Sequence, residues 1–130
     1  GNIPLTKQAE KVLKITYWAT TIIFSLLMSS SAYMYLTQPM MSEAFVHLGF
    51  PAYFRFELAI AKFIGSIVLL APFFDKLKEW AYSGFTIVLI SAVFAHYSVN
   101  DELGEIIAPM IVGTILTISY ISYKKLKSEK

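Results

Sequence analysis

Three ionisable residues interrupt long apolar stretches of the sequence or lie near their ends. They are Glu57, Lys62 and His96. A charged side chain near the centre of a lipid bilayer costs about 2.5–3.5 kcal/mol on insertion scales, so each of these residues requires a partner or a purpose. An ammonium group can hold an anionic or carbonyl-bearing ligand, and an imidazole can relay a proton near neutral pH. The three residues are therefore the first candidates for a binding site.

The spacing of these residues predicts their depth in a membrane. Glu57 is the second residue of one apolar run and His96 is the penultimate residue of the next, so both lie near the same face if the two runs cross in opposite directions. Lys62 lies about 7.5 Å deeper, at a helical rise of about 1.5 Å per residue. We predict an outward-facing polar pocket walled by these three residues and rimmed by Arg55 and Tyr97, which binds a ligand such as a quinone head group.

Two other interpretations of Lys62 need no ligand. In the first, Lys62 extends its flexible stem to the membrane surface, while Glu57 and His96 lie in the wet interface. In the second, Lys62 forms a salt bridge with Glu57 of a second copy of the chain or with Glu105, and the pair fixes helix packing. We predict no catalytic residue.

The two histidines are the remaining candidates for metal ligands. His47 and His96 are expected on the same side of the membrane, but neither belongs to a pair of histidines at i,i+4 spacing. We therefore predict neither a haem site nor a metal site. The chain contains no Cys, which excludes disulfides, thiolate nucleophiles and Cys-ligated metal centres.

The composition is typical of a membrane protein. Of the 130 residues, 56% are hydrophobic and 15% are charged, compared with about 45–50% and about a quarter in soluble domains. A soluble domain of this size could not bury so much apolar surface, and a disordered chain would be far more polar. The formal net charge of +2 gives no indication of nucleic-acid binding.

Four apolar runs are long enough to cross a bilayer, which takes roughly 20 helical residues. They cover residues 15–36, 56–74, 80–97 and 106–123. The connections are short, so consecutive helices should be antiparallel neighbours. We predict an all-α membrane protein in which residues 1–130 form a single up-down bundle of four transmembrane helices. The first run is longer than the core of a signal peptide, about 7–15 residues, and we expect it to be retained.

The placement of basic residues predicts the orientation, because cytoplasmic loops are enriched in Lys and Arg. Nine of the eleven basic residues lie on the side that holds both termini, namely Lys7, Lys11, Lys14, Lys76, Lys78, Lys124, Lys125, Lys127 and Lys130. Tyr and Trp residues fall near the ends of the runs, as expected for half-polar rings at the headgroups. We therefore expect both termini in the cytoplasm.

The connection between the first two runs has a pattern of its own. Residues 39–48 place apolar side chains on one face of a short helix, which we expect to lie in the membrane interface. Gly49 and Pro51 then end the helix and turn the chain. This helix is either a lid over the outer end of the bundle or a simple connector.

Several strings between residues 48 and 101 resemble the DoxX-like family of small bacterial membrane proteins. They are LGFPAY (48–53), AKFIG (61–65), KEWAYSGF (78–85), and AH (95–96) followed by ND (100–101). The resemblance implies a four-helix membrane bundle in the bacterial inner membrane. It implies no shared catalytic motif, since some members are associated with quinone-linked sulfur oxidation or oxidative-stress enzymes and a distant relative assists receptor assembly.

These observations predict an accessory integral membrane protein that binds a small lipid-soluble, redox-linked molecule such as a quinone, or a redox partner, at the outer pocket. Without Cys or an evident cofactor site, we expect no catalytic activity of the chain alone. Besides the lipid bilayer, partners include another membrane or redox protein and a second copy of the chain. The alternatives are a non-catalytic assembly or chaperone-like protein and, less strongly, a small transporter acting as an oligomer.

Overall fold

The structure, a computed structural model, describes residues 6–128 and is all-α over that range. It contains the helices α1 (Lys7–Thr37), α2 (Pro39–His47), α3 (Ala52–Leu70), α4 (Asp75–Ser98) and α5 (Leu103–Ser128). The Thr6 side chain caps α1 by accepting a hydrogen bond of 3.0 Å from the backbone N–H of Ala9. The prediction of an all-α fold is confirmed for these residues. Lys130, one of the basic residues used to predict the orientation, lies outside the described range.

Residues that break helices separate the five elements. Gly49 has a φ of 83°, a left-handed conformation that costs glycine little, and Pro51 then caps α3 in an extended conformation. Phe74 precedes α4 with a φ of 69°, and Asn100 follows α4 with a φ of 57°. Asparagine tolerates this conformation better than most residues, because its short side chain bonds to the local backbone. The connections after α3 and α4 are short, so α3, α4 and α5 fold back on one another.

The four long helices pack in a ring. α1 contacts α3 and α5, and α4 contacts the same two helices from the other side. The core lies along the axis of this ring of helices. There the aromatic side chain of Phe24 on α1 packs edge to face on that of Phe85 on α4, with centroids 4.9 Å apart. Leu69, Leu89 and Leu116 complete the contact from α3, α4 and α5. A single cluster of buried residues therefore joins all four helices.

The outer surface of the ring is apolar. Isoleucines on each of the four long helices are exposed, including Ile22, Ile64, Ile87 and Ile118. In water such a surface would aggregate, whereas lipid accommodates it. Three of the helices, α1, α4 and α5, are long and apolar enough to cross a membrane. The protein is therefore an integral membrane protein.

The fourth long helix, α3, is the exception to this pattern. It has 19 residues, and it carries three charged residues, Arg55, Glu57 and Lys62. The first two lie near its amino end, and only Lys62 lies well inside it. α3 begins and ends four residues earlier than the predicted run of residues 56–74, because the chain becomes extended at Ala71, before Pro72. The other three helices are longer than the predicted runs, α1 and α4 mainly at their amino ends and α5 at both ends.

A short helix is present where the sequence predicted one, between α1 and α3. α2 places Phe45, which is 7% exposed, against the ends of its two neighbours. The ring of Phe45 lies 4.9 Å from that of Tyr35 on α1 and 6.3 Å from that of Phe54 on α3, measured between centroids. α2 is thereby fixed across the end of the bundle at which α1 ends and α3 begins.

Candidate ligand-binding site at Lys62

Lys62 is buried inside the bundle, and its side chain is 6% exposed. Its ammonium group donates hydrogen bonds to Ser31 Oγ at 2.9 Å and to Tyr35 Oη at 2.7 Å. Both acceptors belong to α1, and their spacing of four residues places them one turn apart on the same face. The lysine is therefore directed across the α1–α3 contact, and hydroxyl groups replace part of the hydration that the charge loses.

Tyr35 holds this lysine in place through further contacts. The Lys62 ammonium lies 4.2 Å from the centroid of the Tyr35 ring, within the range of a cation–π interaction. The backbone carbonyl of Tyr35 accepts a hydrogen bond from Arg55, whose guanidinium also lies over the ring of Phe56. Since the ring of Phe45 also packs edge to face against that of Tyr35, α1, α2 and α3 all meet at this residue.

Among the described residues, no carboxylate balances the charge of Lys62. Within residues 6–128, no Asp or Glu oxygen lies within 4.0 Å of its Nζ atom. An ammonium group has three N–H donors, and Ser31 and Tyr35 occupy two of them. A carbonyl or anionic group of a ligand could accept the third.

A groove of about 400 Å³ lies between α3 and α4, and Lys62 belongs to its wall. The remaining wall is apolar or small, with Leu58, Ala61, Gly65, Trp80 and Val88 among its residues. Lys62 is the one charged residue that lines it. The Lys62 ammonium is bonded to Ser31 and Tyr35 on α1, which do not line this groove. The apolar walls of the groove are typical of sites that bind lipid-soluble molecules.

The structure brings some of the predicted site residues together and separates others. Lys62 and Arg55 both bond to Tyr35. Glu57 is exposed near the start of α3, and Tyr97 is 70% exposed near the end of α4. His96 forms no hydrogen bond with Glu57 or Lys62, and it belongs to a separate cluster at the α4–α5 connection.

That cluster is centred on Asp101. His96 Nδ1 lies 2.6 Å from Asp101 Oδ2, and His47 Nε2 lies 2.8 Å from Asp101 Oδ1. The hydrogen bonds of His96 and His47 hold the pKa of the Asp101 carboxyl below its usual range. Glu105 completes the group, with Oε2 at 3.9 Å from His96 Nδ1. Glu105 was one of the two salt-bridge partners that the sequence offered for Lys62, and in the structure it faces His96 instead.

The cluster depends on how α4 ends. Asn100 adopts the left-handed conformation, and the backbone N–H of Asp101 bonds to the carbonyl of His96 at 3.0 Å. This turn folds Asp101 back over the last turn of α4. Sequence reasoning missed the contact because it considered helical spacings alone. The Asn-Asp pair four and five residues after His96 was the available signal, since such pairs favour helix-ending turns.

A second buried lysine, Lys78, was also missed. It is 3% exposed, and its Nζ atom donates to Tyr17 Oη at 3.1 Å and to the carbonyl of Leu69 at 2.9 Å. The basic-residue pattern places Lys78 in a cytoplasmic loop, whereas in the structure Lys78 lies in the first turn of α4 and faces inward. Its spacing to Tyr82 and Phe85 follows the helical period of the buried face, and this period was the available signal.

Hydroxyl groups continue inward from Lys78 along the bundle axis. Ser119 Oγ on α5 lies 2.6 Å from Thr21 Oγ1 on α1 and 2.7 Å from Tyr82 Oη on α4. Ser25 lies one turn beyond Thr21, and its buried Oγ atom has no hydrogen-bond partner among the described residues. The interior thus contains polar groups around each lysine and an aromatic core between them.

A ring of four long helices with an apolar exterior and internally bonded polar groups defines a small helical membrane protein. The chain belongs to the DoxX-like family, whose family model matches residues 19–119. The matched range contains Lys62, Lys78 and His96 as well as the strings that carried the resemblance, and the resemblance is confirmed. Comparisons with curated proteins and with solved structures give no significant match.

Proposed function

We propose that the protein is an accessory membrane component that binds a lipid-soluble, redox-linked molecule of the quinone class in the groove between α3 and α4. The observation that carries this proposal is the environment of Lys62. Its ammonium is buried, is held by two hydroxyl groups and lacks a carboxylate partner within residues 6–128. A charge held in this way inside a membrane helix indicates a binding role.

The chemistry of a quinone fits the groove. A quinone has carbonyl oxygens that accept a hydrogen bond from an ammonium group, and its apolar tail suits a groove lined by Leu58, Val88 and Trp80. Ser31 and Tyr35 fix the position of the lysine before the ligand enters, which reduces the ordering cost of binding. The chain has no Cys, and we propose that electrons reach the bound molecule from a partner protein.

The remaining predicted residues have subsidiary places in this proposal. Arg55 positions Lys62 indirectly, by holding the backbone of Tyr35. Glu57 and Tyr97 are exposed at the ends of α3 and α4, where they would form the polar rim of the groove. His96 lies near the same end and is bound to Asp101.

We propose that α3 crosses the membrane together with α1, α4 and α5. Its 19 residues span about 28 Å at a rise of about 1.5 Å per residue, close to the thickness of the hydrocarbon core. Of its charges, Arg55 and Glu57 lie near one end, and Lys62 is turned into the bundle. The ring of helices supports this topology, because α3 connects α1 to α4.

Four crossings would place both termini on one side, and the distribution of basic residues favours the cytoplasm for that side of a bacterial inner membrane. α2 would then lie in the outer interface. Its exposed Met40 and Val46, which are 69% and 73% exposed, suit contact with lipid there.

Quenching of tryptophan fluorescence tests the ligand directly, because Trp80 lines the groove. We expect the Trp18→Phe variant, which keeps Trp80 as its one tryptophan, to show saturable quenching by a short-chain ubiquinone in detergent. Adding Lys62→Met should raise the apparent Kd by about tenfold or more, since a hydrogen bond to a charged group is worth about 1.5–3 kcal/mol.

Lys76→Met is the matched control, because Lys76 is an exposed lysine at the start of α4. It should leave the quenching curve unchanged. Linear quenching that is the same in all three proteins would indicate simple partitioning of the quinone into the micelle, and it would refute the proposed site.

A second function, docking of another membrane protein or of a second copy, is favoured by a different surface. A groove of about 450 Å³ between α4 and α5 is lined partly by small residues, including Thr86, Gly113 and Thr117. Small residues allow close helix contact in lipid. A Cβ atom at Gly113 would meet only Leu89, at 3.9 Å, so the fold tolerates a side chain there. We expect Gly113→Leu to release a partner that co-purifies with the wild type, and retention of that partner would contradict this function.

A further inference from the structure

The cluster at the α4–α5 connection has the composition of a metal site. Three residues each offer a ligand atom, and these atoms lie within 4.8 Å of one another. They are His96 from the last turn of α4, Asp101 from the connection and Glu105 from the first turn of α5. Consecutive structural elements thus direct an imidazole nitrogen and two carboxylate oxygens to one point. We propose that these three residues bind a divalent cation of the Zn²⁺ class.

The distances are close to those of a ligated ion. Zinc bonds to nitrogen and oxygen at about 2.0–2.2 Å, so neighbouring ligands in a tetrahedral site lie roughly 3.3 Å apart. The contact between His96 Nδ1 and Asp101 Oδ2 is shorter, at 2.6 Å, and that between His96 Nδ1 and Glu105 Oε2 is longer, at 3.9 Å. Small rotations of the Asp101 and Glu105 side chains, away from His96 and towards it respectively, would bring both distances to roughly 3.3 Å. The Glu105 side chain is 60% exposed and has room to make its rotation.

The charges of the cluster favour a cation. Asp101 and Glu105 are both acidic, and within the described part of the chain no Lys or Arg lies within 4.0 Å of either carboxylate. A divalent ion would balance both charges. The single imidazole ligand favours zinc and similar transition metals over Mg²⁺ and Ca²⁺, which prefer oxygen ligands alone.

His47 has a positioning role in this site. Its Nε2 atom bonds to Asp101 Oδ1 at 2.8 Å, whereas His96 faces the other oxygen, Oδ2. With the ion on the Oδ2 side, His47 would hold the carboxylate in its ligating orientation, as outer partners commonly do in metal sites. It would also connect α2 to the ion, so metal binding would fix α2 over the end of the bundle. The absence of i,i+4 histidine pairs, on which the sequence predicted no metal site, does not exclude ligands from three different elements.

Isothermal titration of the full chain with ZnCl₂ in a nonionic detergent, after removal of bound metal with a chelator, tests the site. We expect one saturable site per chain. Asp101→Asn and His96→Gln should each weaken Zn²⁺ binding at least tenfold, and both preserve the approximate size of the side chain. His47→Ala should weaken binding about 10–100-fold, which is the usual effect of losing an outer partner.

Glu102→Gln is the matched control, because this exposed carboxylate lies between the proposed ligands in the chain. It should bind Zn²⁺ as the wild type does, and Mg²⁺ should not compete. Co²⁺ bound to the wild type should give visible absorption bands that disappear in His96→Gln while the helical circular dichroism is unchanged. Absence of a saturable site, unchanged affinity of Asp101→Asn and His96→Gln, or equal competition by Mg²⁺ would each overturn the proposal.

Discussion

The ring of Phe85 on α4 lies so close to the backbone of Gly65 on α3 that no side chain fits between them. A Cβ atom at Gly65 would lie 2.7 Å from both Cε2 and Cζ of Phe85. Phe85 cannot easily move away, because it is 4% exposed and packs edge to face on Phe24. Gly65 is therefore the place where α3 and α4 come together inside the bundle.

We expect Gly65→Ala to destabilise the protein through this contact. Overpacking of a core costs about 1–3 kcal/mol, and the better helix propensity of alanine returns at most about 1 kcal/mol. Gly84→Ala is the matched control, since a Cβ atom at Gly84 meets nothing within 4 Å. Thermal unfolding in detergent should show a lower Tm for Gly65→Ala than for Gly84→Ala. Equal melting temperatures would contradict the close packing.

The long helices could be predicted from the sequence because the pattern that identifies them, a long apolar run, extends over many consecutive residues. Apolar runs and flanking charges locate α1, α4 and α5 without any knowledge of packing. The short helix α2 could be found for the same reason, since Gly49 and Pro51 mark its end. Such features depend on neighbouring residues alone.

The candidate site could be predicted only in part, because it depends on contacts between distant residues. The cost of a charge in the membrane identified Lys62, but its partners Ser31 and Tyr35 are 31 and 27 residues away in the chain. The contact between His47 and Asp101 joins residues 54 positions apart. Lys78 illustrates a different error, since a lysine near a helix end was assumed to face water, whereas the interior supplied it with partners.

Lys78 stabilises the carboxyl end of α3, and its removal should destabilise the bundle. The last carbonyls of a helix have no partner within that helix, and the Lys78 ammonium bonds to one of them, that of Leu69, at 2.9 Å. Lys78→Met would leave this carbonyl with only the long bond of 3.5 Å from the Tyr17 hydroxyl, and that hydroxyl would lose the bond that it accepts from Lys78. We expect a loss of about 1–3 kcal/mol, measured as a lower Tm in detergent.

Two variants distinguish this role from a general effect of charge. Lys78→Arg keeps the charge and should retain part of the lost stability. Lys76→Met removes an exposed lysine two residues earlier and should leave the Tm unchanged. If Lys78→Met melts at the wild-type temperature, the bond to Leu69 does not contribute to stability.

The hydroxyl of Ser119 connects α5 to α1 and α4, and its removal should lower the stability of the bundle. Ser119 is fully buried, and its Oγ atom bonds to Thr21 and Tyr82. Ser119→Ala leaves both partners buried without this bond, at a cost of about 1–3 kcal/mol. Ser91→Ala on the exposed face of α4 is the control and should be neutral. Equal Tm values for the two variants would show that other groups replace the missing hydroxyl.

The proposed topology can be tested with single cysteines, because these 130 residues contain none. Glu102→Cys and Lys76→Cys introduce a thiol into the α4–α5 connection and the first turn of α4, at opposite ends of α4. Both positions are exposed. With four crossings and cytoplasmic termini, a membrane-impermeant maleimide should label Glu102→Cys in spheroplasts, whose inner membrane is intact. Lys76→Cys should react only after that membrane is permeabilised. Labelling of Lys76→Cys alone in intact spheroplasts would show that the orientation is opposite to the proposed one. Labelling of both variants would show that α4 does not cross the membrane.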